Sequence, residues 1–560
     1  MELGALGAMG VEYFAHPAYR LEVAKRLATS TGADHAIFFD DTAFAVPEAQ
    51  RRKLAGLPGY ERVMLPALLL SPGFKNGVSV LCAAPPNPVE IKNYKAMKEK
   101  MEHDMQVKAT VRLMYEQGDT LVDLMNVDEQ TYMNMCEEYA EKMENQDTVN
   151  AYTASTHIDM MSKYASQLLQ LGKKTYVSPF QVMPVHQTAL REYTESGQVV
   201  LPDIPNMDKA HNNFLLCKEG LGDYLHTMMA IHADGSISTD YDSYIEQSRK
   251  TVDTHGSEFE KTDTNMGKMA DTMLACVGKL SEQGMRAIIK LDSNGVSGLG
   301  NLMPDKHPDV YDMHKDYFAR RTALLEKMKA SYKDSQTLPQ FAVVEEFIDD
   351  ARMVEGFRYD LTAGGMMVGG IFMPMSMFPF GTNDDGEYDR GWIAAQAELV
   401  KEDPVVWKKI FQAYSQMGEV MAKNGYRNGV LAGDVLVRND GRIVFHDYNF
   451  RRGGRSTPEA LIALMPDTGL FEVQLKMGEG EGLPHMTYNV DLFHTYTNTC
   501  QQLTNMGIYP FSTSFGYFGW GDGSHPFMKL KLLVPMEMLD GKTRDQHVQI
   551  VQELVKSLIN

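Results

Sequence analysis

Gly429 to Pro458 reads GVLAGDVLVRNDGRIVFHDYNFRRGGRSTP. Two strand-like runs flank Asp440-Gly441, a strong two-residue turn signal. With Asp440 and Gly441 as the loop, Asn439 faces Arg442. Counting back along both strands then sets Asp434 opposite Asp447. Asn449, two residues past Asp447, shares its face. Like charges paired across strands are destabilising unless something offsets them. A hard divalent cation with oxygen ligands does so, and Mg²⁺ is held by one or two carboxylates plus substrate phosphates. Spacing alone leaves an exposed hairpin with its acids in water as an equal alternative. Arg451, Arg452 and Arg455, set among glycines immediately downstream, favour the metal. Anion-binding groups beside metal ligands suggest phosphate chemistry.

The 560-residue chain predicts two to four domains with ample core. Its 44% hydrophobic and 23% charged residues are ordinary for a soluble globular protein. A net charge of −20, from 54 basic and 74 acidic residues, argues against nonspecific nucleic-acid or membrane-surface binding. The N-terminus MELGALGAMGVEYF lacks a basic region and a long apolar run, so a cytoplasmic protein without a signal peptide is expected. The longest apolar stretch, 364–381, is broken by Gly and Pro and reads as buried strands. Cys82, Cys136, Cys217, Cys276 and Cys500 show no metal-ligand spacing and are expected as buried, reduced thiols.

Working outward, residues 35–41 and 77–83 read as buried strands, the second closed by Pro85-Pro86-Asn87-Pro88. Residues 91–105 and 128–143 read as helices. Such alternation predicts an α/β layered structure. The polar stretch 232–263 reads as an inserted surface segment. MRAIIKLDSNGVSGLGN (285–301) is a strand ending in Lys290, followed by a loop with Gly295, Gly298 and Gly300. Glycines let backbone N–H groups converge on an anion, and the lysine adds a point charge. Ser297 and Asn301 add hydrogen bonds. PQFAVVEEFIDD (339–350) is a buried strand with acids at its end, and 359–373 reads as a hairpin. Residues 403–425 form a helix with Pro404 at its first position, Gly425 after its end, and a stripe of Ile410, Tyr414, Met417 and Met421. It is expected to back the acidic hairpin. The aromatic-rich stretch 509–523 reads as loop, and 546–560 as a closing helix.

D-x₁₂-D-x-N-x-R, from Asp434 to Arg451, resembles the metal-binding end of ATP-grasp ligases. The continuation NFRRGGRSTP, the KLDSNGVSGLGN segment and LPGYERVMLPALLL (57–70) resemble one branch, the pheganomycin-type peptide ligases with a pre-ATP-grasp domain. Leu299 departs from that branch, where an acid is common. The resemblance implies an ATP-grasp fold of mixed α/β (α+β) class. Its expected parts are a pre-ATP-grasp domain over 1–205, a lid and nucleotide subdomain over 206–348, and a C-terminal lobe over 349–560. It implies a carboxylate–amine ligase forming an acyl phosphate and releasing ADP. Asp434, Asp447 and Asn449 would hold two Mg²⁺, with Mn²⁺ as an alternative. Lys290, Ser297, Gly298, Gly300 and Asn301 would hold ATP phosphates. Lys209 is the candidate for the first ATP lysine, with Lys268 as its rival. Glu345, Glu346 and Ile348 would form the hinge on adenine and ribose. Arg451 would stabilise the transferring phosphoryl group. Arg358, Arg455 and Ser456 would meet substrate. The partners implied are a small carboxylate and an amine, and a homodimer is allowed. Phosphorylation without amide formation, or a catalytically silent nucleotide-binding scaffold, remain as alternatives.

Overall fold

The computed structural model describes residues 17–39, 61–82, 85–117, 120–144, 164, 166–167, 173–179, 195–197, 199–200, 209–255, 259–291, 301–332, 337–338, 341–354, 357–358, 360–382, 388–393, 404–448, 464, 468–476, 490–520, 523–538 and 544–559. Within them the chain is a mixed α/β protein. β1 (His35–Phe39), β2 (Val78–Cys82), β3 (Val111–Gln117), β4 (Thr120–Asp123), β5 (Thr175–Pro179) and β6 (Val199–Val200) form one sheet in the order β4-β3-β2-β1-β5-β6. All its pairings are parallel except β3 with β4. Every residue of β2 is buried. That follows from an unbroken VSVLC run, since a sheet covered on both faces needs apolar side chains on both. The prolines that end β2 also start the next helix, Pro88–Met105. Pro88 needs no N–H there, and the Asn87 side chain accepts from the Val89 N–H at 2.8 Å.

The middle of the chain supplies β7 (Met228–His232), β8 (Ile237–Ser238), β9 (Phe259–Glu260), β10 (Arg286–Lys290), β11 (Asn301–Leu302), β12 (Thr337–Leu338) and β13 (Phe341–Phe347). β9 and β12 pair with each other, and the rest form an antiparallel sheet in the order β11-β10-β13-β7-β8. The stretch 232–263, read as an inserted surface segment, is built of regular elements at the edge of this sheet. It completes β7, adds β8 and contributes the helix Tyr241–His255. Ala233 and Tyr244 are placed inward, whereas Ile237 is exposed. Tyr244 is buried edge-on against Phe341 with ring centroids 5.6 Å apart, and buried His232 meets the Ser238 hydroxyl at 2.8 Å. Average polarity concealed this, because a few well-placed rings suffice to seat a helix.

Downstream lie β14 (Met353–Val354) and β15 (Phe357–Arg358), which pair with each other. They are followed by β16 (Asp360–Val368), β17 (Ile371–Thr382), β18 (Tyr388–Ile393), β19 (Gly429–Val437), β20 (Ile443–Tyr448), β21 (Thr468–Lys476), β22 (Tyr509–Trp520) and β23 (Gly523–Pro535). These eight form an antiparallel sheet in the order β20-β19-β16-β17-β18-β21-β23-β22. Gly369 and Gly370 (φ +62° and +85°) make the tight turn between β16 and β17, a geometry that suits two glycines. The segment 509–523, expected as loop, instead supplies strand β22 and the first residue of β23. Its glycines signal loops, yet its aromatic and hydroxyl residues favour a pleated surface once a partner strand is present.

The helix Pro404–Lys423 buries Trp407, Ile410, Tyr414, Met417 and Met421 against this sheet. On the other side, Met366, Val368, Met373 and Met375 share one core with Tyr19, Leu27, Leu68 and Val80 of the N-terminal layer. Arg20 is buried in that junction and donates to the Met375 carbonyl at 2.6 Å. No helix among the described residues is long and apolar enough to cross a membrane. Four cysteines are buried as expected, but Cys217 is exposed.

Candidate active site

The acidic hairpin forms, and Asp434 pairs with Asp447. The local code that brings them together differs from the simple count. The loop has three residues, Asn439 to Gly441. Arg438 N–H donates to Arg442 O at 2.8 Å and Gly441 N–H to Arg438 O at 2.9 Å, with Gly441 at φ +79°. This is a type I turn closed by a left-handed glycine. It shifts the pairing by one, so that Val437 faces Ile443 and Val435 faces Phe445. A bulge at His446 then inserts one extra residue and restores the shift, returning Asp447 to Asp434.

Gly433 permits this closure. A Cβ there would fall 2.3 Å from the Asp447 carbonyl oxygen and 3.3 Å from the Tyr414 hydroxyl. That hydroxyl lies 2.8 Å from the Ala363 carbonyl and 3.0 Å from the Gly433 carbonyl, tying the backing helix to the acidic strand. Gly433→Ala is therefore expected to destabilise by about 1–3 kcal/mol, the range for an overpacked site. Thermal melting reads this directly. An unchanged melting temperature would show that β19 and β20 separate at the acids without cost.

The offset for the paired acids comes from lysines. Lys209, at the start of the helix Lys209–Leu216, places Nζ 2.7 Å from Asp447 Oδ1. Both side chains are mostly buried, with exposures of 16% and 24%. Burial pushes the Asp447 carboxyl up, but the charges of Lys209 and Lys290 and the contact with Lys209 hold it below its ordinary value. Lys268, the rival, is exposed on another helix, where its stem packs over Gly235.

Lys290 ends β10 and forms an ion pair with Glu345 on the neighbouring strand β13. Burial opposes its charge, yet Glu345, Asp447 and Asp434 keep its pKa above the usual lysine value. Glu345 is only 3% exposed. Burial raises its pKa, but Lys290 and His226 outweigh that and depress it well below the carboxylate range. His226 sits between two acceptors, with Nε2 3.1 Å from Glu345 Oε2 and Nδ1 3.1 Å from the Phe445 carbonyl. Asn301 opens β11 directly opposite Lys290.

Glu346 points away from Glu345, as adjacent strand residues must. It meets Arg438 Nη1 at 3.1 Å, and Arg438 Nε lies 2.8 Å from Asp350. Backbone bonds reinforce this clasp: Asn439 N–H to Asp350 O at 2.9 Å and Arg352 N–H to Val437 O at 2.7 Å. Ile348 is buried with Ala351, Leu436 and Val444. The end of the five-stranded sheet is thus docked against the acidic hairpin, and the three-residue turn lies at the dock. Arg358 lies on the β14–β15 ladder opposite Met353. Ser297, Gly298, Gly300, Asn449, Arg451, Arg455 and Ser456 lie outside the described residues.

Lys209, Lys290, Glu345, Asp434 and Asp447 therefore converge from four separate parts of the chain. Sequence reading missed His226 and Arg438. A lone histidine in a connector and a strand-end arginine carry no local signal. Among the described residues no group of three His, Cys, Asp or Glu side chains is arranged to hold a metal. The opposed carboxylates of Asp434 and Asp447 nevertheless suit Mg²⁺, which needs one or two such ligands when phosphates and water supply the rest.

Scans against protein-family models and curated proteins match nothing. Solved structures similar to this chain include the biotin carboxylase domain of Hydrogenobacter thermophilus 2-oxoglutarate carboxylase in complex with MgADP and bicarbonate. It is 11% identical, with 90% of this chain and 86% of that chain covered and a TM-score of 0.38. Carboxyaminoimidazole ribonucleotide synthase from Aspergillus clavatus complexed with ATP is 11% identical, with 94% and 100% covered and a TM-score of 0.40. L-amino acid ligase from Bacillus licheniformis is 10% identical, with 82% and 94% covered and a TM-score of 0.37. At these identities and TM-scores the likeness assigns no activity to this chain.

Proposed function

We propose that this chain is an ATP-grasp enzyme that joins a small carboxylate, an amino acid or peptide, to an amine with cleavage of ATP to ADP. One observation carries the reading: two largely buried lysines, Lys209 and Lys290, meet a cross-strand pair of carboxylates, Asp434 and Asp447, in one charged cluster. A cluster of this composition suits a polyphosphate with its divalent cation. The lysines match phosphate oxygens, and the carboxylates match the metal.

Asp434, Asp447 and Asn449 would hold Mg²⁺, which would supply charge neutralisation at the phosphates. Lys290 and Lys209 would hold phosphate oxygens, with Ser297, Gly298, Gly300 and Asn301 as further phosphate-binding residues. The backbone around Glu346 and Ile348 forms the hinge on the adenine edge. The substrate carboxylate oxygen attacks the γ-phosphorus in line. The bond from γ-phosphorus to the β–γ bridging oxygen breaks, giving ADP and an acyl phosphate. The amine then attacks the carbonyl carbon, the C–N bond forms, the C–O bond to phosphate breaks, and the amine loses a proton. Arg451 stabilises charge on the transferring phosphoryl group and on the tetrahedral intermediate. Arg358, Arg455 and Ser456 position the substrates.

The test is incubation with ATP, Mg²⁺ and pools of amino acids. Expected are ADP and phosphate in equal amounts, dependent on an acceptor amine, and a new mass equal to the two substrates less water. ADP without a new amide would replace ligation by phosphorylation. Absence of Mg–nucleotide binding would overturn the reading of the site.

A further inference from the structure

Glu345 and Lys290 are not held by the strands alone. The connector after the helix Lys209–Leu216 turns at a kink at Gly220, whose φ of +89° breaks the helical backbone. Here the turn brings Leu225 alongside Phe445 on β20, the outermost strand of its sheet, in a single parallel bridge. His226 follows and is 4% exposed. Its ring spans from the Phe445 carbonyl to the Glu345 carboxylate, and Glu345 holds Lys290. Phe445 lies two residues before Asp447 and next to the bulge that sets the acid pair. A chain of three contacts therefore joins β20, which bears Asp447, to β10, which bears Lys290.

We propose that His226 is a positioning residue which acts through Glu345 to hold Lys290 where it meets a phosphate of the Mg–nucleotide; this rests on the function proposed above. Both neighbours of the ring accept hydrogen bonds, a backbone carbonyl and a carboxylate that Lys290 keeps ionised. A neutral imidazole has a single N–H. Carried on Nε2, that N–H fixes one oxygen of Glu345, with Nδ1 lying beside the Phe445 carbonyl. The other oxygen is then turned toward Lys290, whose ammonium cannot swing away along its flexible stem. The groups facing this unit are Lys290, Glu345, Asp447 and Asp434. Lys209 closes the far side through Asp447.

The two halves of the imidazole are separable by substitution. Glutamine places an amide N–H close to Nε2, whereas asparagine places one close to Nδ1. If His226 acts through Glu345, His226→Gln keeps nucleotide binding within about threefold of wild type and His226→Asn weakens it about tenfold, roughly the value of one hydrogen bond to a charged group. If the ring only caps the edge strand at Phe445, the order reverses. The measurement is titration of each protein with Mg–ADP by calorimetry, with melting temperature recorded in parallel. Support requires that binding follow the Gln-over-Asn order while melting temperatures of the two variants stay alike. Equal weakening, the reverse order, or binding that tracks melting temperature overturns the inference alone. Wild-type protein that binds no Mg–ADP overturns the proposed function and this inference with it.

Discussion

Asp447→Asn is expected to cut ADP formation roughly a hundred- to a thousandfold, because a bound ion contributes several kcal/mol to phosphoryl transfer. The substitution keeps shape and removes one anionic donor opposite Asp434. Its effect on stability is where the structure changes the expectation. Facing carboxylates alone would make the variant as stable as wild type or more so, since a like-charge pair is worth roughly 0.2–1 kcal/mol. In the folded protein Asp447 is instead the partner of Lys209 at 2.7 Å, with Lys290 close by. Removing its charge loses an attraction, and the net loss is expected at about 1–2 kcal/mol, the amide oxygen still accepting from Lys209. Melting without metal and ADP production with Mg²⁺ check the two halves. A variant that melts higher than wild type would show that the repulsion dominates. One that turns over ATP normally would remove Asp447 from the metal site.

Lys290→Met is expected to have the largest effect on stability, about 3–5 kcal/mol, because it strands a charge inside the protein. From the sequence, Lys290 is a loop-edge lysine whose loss weakens ATP binding and leaves the fold intact. Its side chain is instead only 12% exposed and pairs with Glu345, exposed by 4%. The dependence on pH follows. In wild type the depressed Glu345 pKa contributes stability that is present above its unfolded value near 4.5 and lost as pH falls below that toward the depressed value. Without Lys290 the main charge holding that pKa down is gone, and burial drives it up. The variant then regains stability as pH falls toward 5 and Glu345 takes a proton. Its deficit relative to wild type should be smaller at pH 5 than at pH 8 in matched urea titrations. A deficit equal at both would mean that Glu345 finds another cation. Pairing Lys290→Met with Glu345→Leu should recover most of the stability, as apolar replacements of buried pairs do, while nucleotide binding stays lost.

Some of this molecule was legible in its sequence because the information is local. The Asp440-Gly441 turn, the alternation of β19, the Gly369-Gly370 hairpin and the stripe of the helix Pro404–Lys423 each rest on neighbours a few residues apart. Backbone preference and period are enough to write them. Even there a three-residue loop and a bulge at His446 were read as a simpler register, which reached the right acid pair because two one-residue shifts cancel. What only the tertiary structure decided is the electrostatic partnership. Lys209 and Asp447 are 238 residues apart, His226 and Glu345 119, and Arg438 and Glu346 92. No local pattern encodes which carboxylate a lysine will neutralise. That choice is made when two sheets dock and desolvation requires each buried charge to find a counter-charge. Local pattern was enough to say which residues carry charge and which strands they ride on. The seating of the helix Lys209–Leu216 beside the hairpin determined that Lys209 offsets the acid pair, and the pairing of β10 with β13 determined that Glu345 is an internal anchor for Lys290.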